Sequence, residues 1–132
     1  MARDEVNIQF LDPTNIDSSV CKKVTNTTIT QANGIKIKNA FAGKKESLLI
    51  RINNTYATAD STVTIKAGDK YVNKCLGDDV QPLTKSAESV IIIVDHSRFQ
   101  NADGSIDLDF SENFTGTICV TATKAAGPYV AK

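Results

Sequence analysis

The sequence predicts an all-β protein, an antiparallel β-sandwich of Ig-like or jelly-roll-like type with about eight to nine short strands. Threonine, valine and isoleucine dominate the interior segments, and these β-branched residues favour a pleated surface over a helix. Segments such as STVTIKA and GIKIKNA alternate apolar and polar residues with a period of two. Turn-forming groups such as ANG, AGD and ADG separate the segments. Short strands at this spacing are typical of an antiparallel sandwich or barrel, and strands with one polar and one apolar face fit the outer layer of a sandwich.

The strands are predicted in chain order, each ending at a turn signal. They are Val6–Phe10, Val24–Thr30, Ile35–Lys38, Ser47–Ile52, Ser61–Lys66, Tyr71–Leu76, Ser89–Val94, Ser105–Phe110 and Gly116–Thr123. Residues 1–20 contain Pro13 and several turn-formers, which predicts an N-terminal segment that is either an extended arm or an ordered sheet edge. Residues 21–132 are predicted to form a single β-sandwich domain, a length typical of one domain.

Two strands are almost continuously apolar and lack the alternation of the others. The runs LLIRI and VIIIV predict strands that are covered on both faces. In a chain of 132 residues the second cover can be another subunit. We therefore expect a homo-oligomer, with a trimer favoured over a monomer.

Composition and charge exclude several functional classes. Fifteen basic residues balance fifteen acidic ones, so neither nucleic acid nor an anionic membrane is expected as a partner. The first ten residues, MARDEVNIQF, lack the apolar core of a signal peptide, which predicts synthesis in the cytoplasm. The three cysteines, Cys21, Cys75 and Cys119, are widely spaced, so we do not expect a zinc site. We expect them to be buried, reduced thiols.

The stretch FQNADGSIDLDF concentrates three aspartates beside a glycine and raises the question of a calcium loop. An EF-hand needs oxygen ligands at alternate positions before its glycine, and Phe99 would occupy one of them. The stretch therefore predicts a turn at Asp103 and Gly104 followed by a strand. Asp107 and Asp109 share the polar face of that strand, towards solvent or a partner. No metal or other cofactor is expected.

Catalytic motifs are missing from the sequence. His96 is the only histidine, and its neighbours Asp95 and Ser97 point in alternating directions on an extended chain. No phosphate-binding glycine motif or nucleophile elbow occurs, so we do not expect an enzyme. A carbohydrate- or cell-surface-binding module would need an exposed aromatic platform. Tyr56, together with DGSIDLD, is the one candidate for it.

Three stretches in a fixed order resemble a diffuse family of small β-proteins encoded by tailed bacteriophages and prophages. They are NGIKIKNAFAGKKESLLIRINNT, STVTIKAGD and SRFQNADGSIDLDFSENFTGTICVTAT, which together span about two-thirds of the chain. The positions that carry the resemblance are Gly34, Gly43, Leu48, Leu49, Asn53, Thr62, Val63, Thr64, Ile65, Gly68, Arg98, Phe99, Asp103, Gly104, Ser105, Ile106, Phe110, Ser111, Gly116, Thr117 and Ile118. The chain departs from the family pattern at YVNKCLGDDVQPL, where a proline-rich apolar turn is the rule.

The resemblance implies a virion structural protein, located on the capsid surface, that binds the major capsid protein and reinforces the shell. It also implies a fold signature, made of Arg98, Phe99, Asp103, Gly104, Ile106, Phe110 and Gly116. Asp107, Asp109 and Tyr56 are candidate partner-facing residues. The alternatives are a tail-tube or tail-associated Ig-like protein and, in another class, the carbohydrate- or cell-surface-binding module.

Overall fold

The computed structural model describes residues 2–11, 23–38, 48–93 and 97–122, and these form two packed β-sheets. The described residues contain ten strands and one helix. In chain order they are β1 (Asp4–Asn7), β2 (Gln9–Phe10), β3 (Thr27–Ile29), β4 (Ile35–Lys38), β5 (Leu48–Asn54), β6 (Ser61–Ile65), α1 (Tyr71–Leu76), β7 (Asp79–Leu83), β8 (Ala87–Ile93), β9 (Ile106–Phe110) and β10 (Gly116–Ala122). The predicted all-β sandwich is confirmed.

The first sheet has the strand order β1-β4-β9-β6-β7, and the second has the order β2-β10-β5-β8, with β3 also paired to β10. Most neighbouring strands are antiparallel, as predicted. The exceptions are β1 with β4 and β2 with β10, which are parallel. From β4 to β6 and again from β8 to β10 the chain changes sheet at each step, so consecutive strands face each other across the core.

The N-terminal segment contributes to both sheets. A single strand over Val6–Phe10 was predicted, but the chain forms β1 in the first sheet and β2 in the second. It changes sheet at Ile8, which packs partly buried against the core. In its described part this segment is therefore a sheet edge. Residues 12–20, the remainder of the predicted arm, lie outside the described residues.

Alternating side chains build the core between the sheets. In β6 the buried Val63 and Ile65 alternate with half-buried threonines, and β9 shows the same pattern, so the predicted two-faced strands are confirmed. The prediction that LLIRI and VIIIV are covered on both faces is wrong within the described part of the chain, because β5 also alternates, with Arg51 exposed. In β8, Ile93 is buried, whereas Val90 is 54% and Ile92 60% exposed. The strand β8 therefore alternates exposed and more buried side chains although its C-terminal residues are all apolar.

The segment from residue 71 to 83 was predicted incorrectly. Tyr71–Leu76, expected as a strand, is the helix α1, and the unpredicted strand β7 follows it. Within YVNKCL only Val72 is β-branched, and Gly77 after it has φ +79°, which ends a helix cheaply. The strand β7 contains Pro82, which is tolerated there because β7 is the last strand of its sheet among the described residues.

Candidate functional site

Helix α1 presents its apolar side chains to solvent. Tyr71 is 81% exposed, Val72 68% and Leu76 60%, while the buried residue of the helix is the polar Asn73. A surface helix normally shows the opposite arrangement, with apolar residues on the core and polar residues outside. Scattered exposed apolar residues need no explanation, but here three belong to a single helix of six residues. The apolar residues of α1 therefore contribute little to folding of this chain.

Polar contacts hold α1 against the loop that precedes β9. The Asn73 side-chain amide donates a hydrogen bond to the Gln100 carbonyl at 3.2 Å. Just before the helix, the Asp69 amide donates to the Asn101 side chain at 3.1 Å, and the Asp69 carboxylate accepts from the Ala102 amide at 2.9 Å. These contacts use the inner side of the segment and leave its apolar side free.

The C-terminal end of α1 is held from two directions. Arg98 donates from Nε to the Gly77 carbonyl at 3.0 Å and from a terminal nitrogen to the Asp78 carbonyl at 3.1 Å. The Asp78 carboxylate accepts from the Ala67 amide at 2.7 Å and from the Lys66 ammonium at 2.8 Å. These hydrogen bonds lower the pKa of Asp78, and the carboxylate in turn raises the pKa of Lys66.

A helix of six residues is too short to persist alone in water, so its order depends on these contacts. They fix the backbone while its apolar side chains remain unburied. Val80, 58% exposed at the start of β7, adds a fourth apolar side chain to this part of the chain. We call Tyr71, Val72, Leu76 and Val80 the α1 surface. Their backbone is already ordered, so burying these side chains against another macromolecule would cost little conformational entropy.

The first residues of the fold signature lie behind α1. Arg98 caps the helix as described and also stacks over the Phe99 ring, with its guanidinium carbon 5.0 Å from the ring centroid. Phe99 is 8% exposed and belongs to the core. The sequence had grouped Arg98 with the fold, but its contacts show that it positions the exposed helix as well.

The remaining signature residues build β9 and the turns around it. Asp103 accepts from the hydroxyl of Ser105 at 2.6 Å and from its amide at 3.0 Å, and these hydrogen bonds lower the pKa of Asp103. Gly104 follows with φ +85°. Ile106 is fully buried, and the Phe110 ring stacks on Phe114 with centroids 4.6 Å apart. Gly116 passes so close to Asn53 that an added Cβ would lie 1.9 Å from its carbonyl oxygen.

Asp107 and Asp109 lie on the outer face of the first sheet, where basic side chains of the same chain meet them. Arg3 forms an ion pair with Asp109 and donates to the Leu108 carbonyl, and the carboxylate of Asp109 raises the pKa of Arg3. Lys36 Nζ lies 3.2 Å from Asp107 Oδ1. The carboxylates therefore hold β1 and β4 to β9. Their proposed contact with a partner stays a prediction.

The aromatic platform of the carbohydrate-binding alternative does not assemble among the described residues. Tyr56 is only half-buried and follows β5 of the second sheet, whereas Asp107 and Asp109 face outwards from the first. Among the described residues, the strongly exposed aromatic side chain is that of Tyr71, whose segment was predicted as a strand and is the helix α1. A signal for it was present, because KYVNKCLGD places Gly77 directly after a possible helix.

Residues with reactive side chains do not form a chemical site in the described part of the chain. Cys119 is buried as expected, but Cys75 on α1 is exposed, contrary to expectation, because its segment is a surface helix. Cys21 and His96 lie outside the described residues. No cluster of three or more histidine, cysteine or acidic residues that could hold a metal occurs among the residues described. The described helix is too short and too polar to cross a membrane.

Two depressions on the described surface are small. One of about 260 Å³ lies between β1 and the segment at Thr25 and Thr27, and another of about 230 Å³ is lined by Lys36, Lys38 and Ser105 among others. Ligand pockets typically enclose ~300–1,000 Å³. Neither depression therefore favours a small-molecule site over the α1 surface.

Comparisons of the chain with protein-family models, with curated proteins and with solved structures gave no match.

Proposed function

We propose that this protein is a virion structural protein that binds the outer surface of a phage capsid and reinforces it, acting by contact area rather than by catalysis. The observation that carries the proposal is the inverted helix α1, whose apolar side chains are exposed on a fixed backbone. The resemblance of the chain to phage-encoded β-proteins supplies the partner, the major capsid protein. The α1 surface is the part of the molecule that contacts it.

The stretch that departs from the family pattern, YVNKCLGDDVQPL, contains the whole α1 surface. A contact surface must match its own partner, so we expect it to differ between related proteins more than the scaffold does. This explains why the scaffold segments carry the resemblance and the α1 segment does not.

The energetics suit a protein present in many copies. Fully burying one large apolar side chain contributes about 1.5–3 kcal/mol. The α1 surface offers Tyr71, Val72, Leu76 and Val80 with their backbone already ordered, so little of that gain is lost to conformational entropy. Many copies on one shell then add a stabilisation that a single weak contact would not give.

The test is binding to capsids that lack the protein, measured by co-sedimentation. Leu76→Lys places a charge in the α1 surface and keeps a good helix former in the helix. We expect the unsubstituted chain to bind at fixed stoichiometry and Leu76→Lys to lose at least tenfold in affinity. Thr58→Lys, an exposed position in the loop after β5, is the charge-matched control and should bind normally.

The outcomes separate the site from the function. If Leu76→Lys sediments with capsids as well as Thr58→Lys does, the α1 surface is not the contact. If the unsubstituted chain stays unbound at micromolar concentration and isolated tail tubes retain it, the tail-associated alternative replaces the capsid assignment. Reinforcement is tested separately, because decorated capsids should release their DNA at a higher temperature than undecorated ones.

A further inference from the structure

The outermost strands of the sandwich differ in how they are protected against pairing. β1 has four residues, of which Asp4 and Glu5 are charged. On the far side of β10, the two- and three-residue strands β2 and β3 share one edge. β7 contains Pro82. Short length, charge and proline are the devices by which proteins block edge-to-edge association.

Pro82 blocks its edge directly. Thr62, its partner in the β6–β7 ladder, exchanges two hydrogen bonds with Ser111 on the β9 side, both of 3.0 Å. The Thr62–Pro82 pair is therefore a non-hydrogen-bonded pair of the antiparallel ladder. The Pro82 nitrogen, which has no hydrogen to donate, consequently faces the free side of β7.

Strand β8 is less protected, because its charged residue, Glu88, is ion-paired with Arg51 of the neighbouring β5. It runs for seven residues, AESVIII, and contains no proline, glycine or lysine. Among the described residues no strand pairs with its free side. A long apolar edge of this kind is a ready template for another strand.

The backbone groups that β8 offers can be identified. The Thr55 amide donates to the Thr115 carbonyl at 2.8 Å, so Thr55 points towards β10. Counting back along β5 by alternation, Ile52 and Ile50 point towards β8, where their partners are Ser89 and Ile91. Ser89 and Ile91 therefore direct their backbone groups towards β5. Because successive residues of a strand alternate, Val90 and Ile92 direct their N–H and C=O groups to the free side of β8.

The side chains of β8 are apolar on both faces near Ile91. On the outer face Val90 and Ile92 are more than half exposed, and Leu49 lies beside Ile92 on β5. On the inner face Ile91 is partly buried against the core and still accessible. A strand added here would cover apolar surface on both sides of the sheet.

We propose that the free edge of β8 pairs with β8 of a second copy of this chain, antiparallel and about a two-fold axis at Ile91. This register places Val90 opposite Ile92 of the second copy, and Ile92 opposite its Val90, as hydrogen-bonded pairs. Ile91 meets its own counterpart. The two second sheets join into one continuous sheet across the dimer.

Self-complementarity selects a second copy as the occupant. An isologous contact requires that a strand match itself in reverse, and in this register valine meets isoleucine on the outer face while isoleucine meets isoleucine on the inner face. Centring the axis on Val90 instead would place Glu88 against Ile92 and Ser89 against Ile91. The apolar pairs thus favour one register. In each copy, the ion pair between Arg51 and Glu88, 2.7 Å apart, marks the end of the apolar stripe on the outer face.

Oligomeric state tests the proposal. Sedimentation velocity of the unsubstituted chain across the micromolar range should show a species of twice the 14.2 kDa chain mass. Ile92→Lys, at an exposed position that does not disturb the core, should shift it to monomer. Val80→Lys, a similarly exposed site on β7, should leave the dimer intact. A monomeric unsubstituted chain, or a dimer unaffected by Ile92→Lys, overturns the proposal.

A cysteine pair tests the register. Ile91 and its counterpart form a non-hydrogen-bonded pair with Cα atoms ~4.5 Å apart, within the range of a disulfide. Ile91→Cys should give a disulfide-linked dimer on non-reducing gels beyond any formed by the unsubstituted chain, whose Cys75 is exposed. Ser89→Cys, opposite Ile93 of the second copy, should not. Equal cross-linking of both variants overturns the register.

Discussion

At the scale of single residues, the fold signature combines two kinds of necessity. Ile106 and Phe110 fill the core, a role that other apolar residues of similar volume could fill. Gly104 and Gly116 cannot be exchanged so freely, for different reasons. Gly104 has φ +85° in open space, whereas Gly116 lies against the backbone of Asn53. At Gly104 a substitution is limited by the backbone conformation, and at Gly116 it is limited by the space available for a side chain.

Alanine at these two glycines should therefore cost unequal amounts. Gly104→Ala is expected to lower the free energy of unfolding by about 1 kcal/mol, the cost of a side chain in the left-handed region. Gly116→Ala should cost more than about 2 kcal/mol, because a Cβ 1.9 Å from the Asn53 carbonyl forces β10 away from β5. Urea unfolding measures both values. Equal costs would contradict the distinction between the two positions.

At the scale of elements, α1 shows how tertiary contacts override a sequence pattern. The segment YVNKCL gave an acceptable strand pattern, yet its backbone is helical and held by Asn73, Asp78 and Arg98. The partners of these residues lie 11 to 27 residues away in sequence, so no local pattern reveals them. The same contacts that order the helix turn its apolar face outwards.

Removing the cap should loosen α1 without dissolving the sandwich. Arg98→Ala loses two hydrogen bonds to carbonyls at the end of α1, which we expect to cost about 1–3 kcal/mol. Hydrogen exchange should show faster exchange at Lys74 and Gly77, whose amides close the helix, than in the unsubstituted chain. Amides of β5, in the middle of the second sheet, are the internal control. If the helix amides exchange unchanged, Arg98 does not order α1.

At the scale of the whole molecule, the sandwich separates two exposed apolar regions. The α1 surface belongs to α1 and to β7 of the first sheet, whereas Val90 and Ile92 lie on β8 at the end of the second. One region is proposed to contact a capsid and the other a second copy. A dimer would bring two α1 surfaces to one shell, which increases apparent affinity if both can bind at once. The two-fold pairing differs from the trimer expected from the sequence, because an isologous edge contact closes with two subunits.

Global stability should fall in acid. Hydrogen bonds to Asp78 and Asp103 hold the pKa values of both carboxyls below their usual range. A depressed folded-state pKa contributes stability that is present above the unfolded pKa and is lost as pH falls through the folded one. Thermal unfolding should therefore show a decline in melting temperature below about pH 4.

The size of this effect is limited because both carboxyls are exposed, so solvent screens their interactions. Asp78→Asn should reduce the slope of melting temperature against pH below about pH 4, and Glu112→Gln, which also replaces an exposed carboxyl, is the control. A slope that is the same in both variants would show that Asp78 is not linked to folding.

The sequence by itself determined the fold class, the alternation of β6 and β9 and the turn at Asp103 and Gly104. These depend on local periodicity and on the backbone freedom of single residues, which a sequence displays directly. The tertiary structure alone decided that β1 and β2 belong to different sheets, that α1 is a helix with an apolar outer face, and that β8 is the last strand of its sheet among the described residues. Each of these is set by contacts between residues distant in the chain, where burial and pairing outweigh local preference.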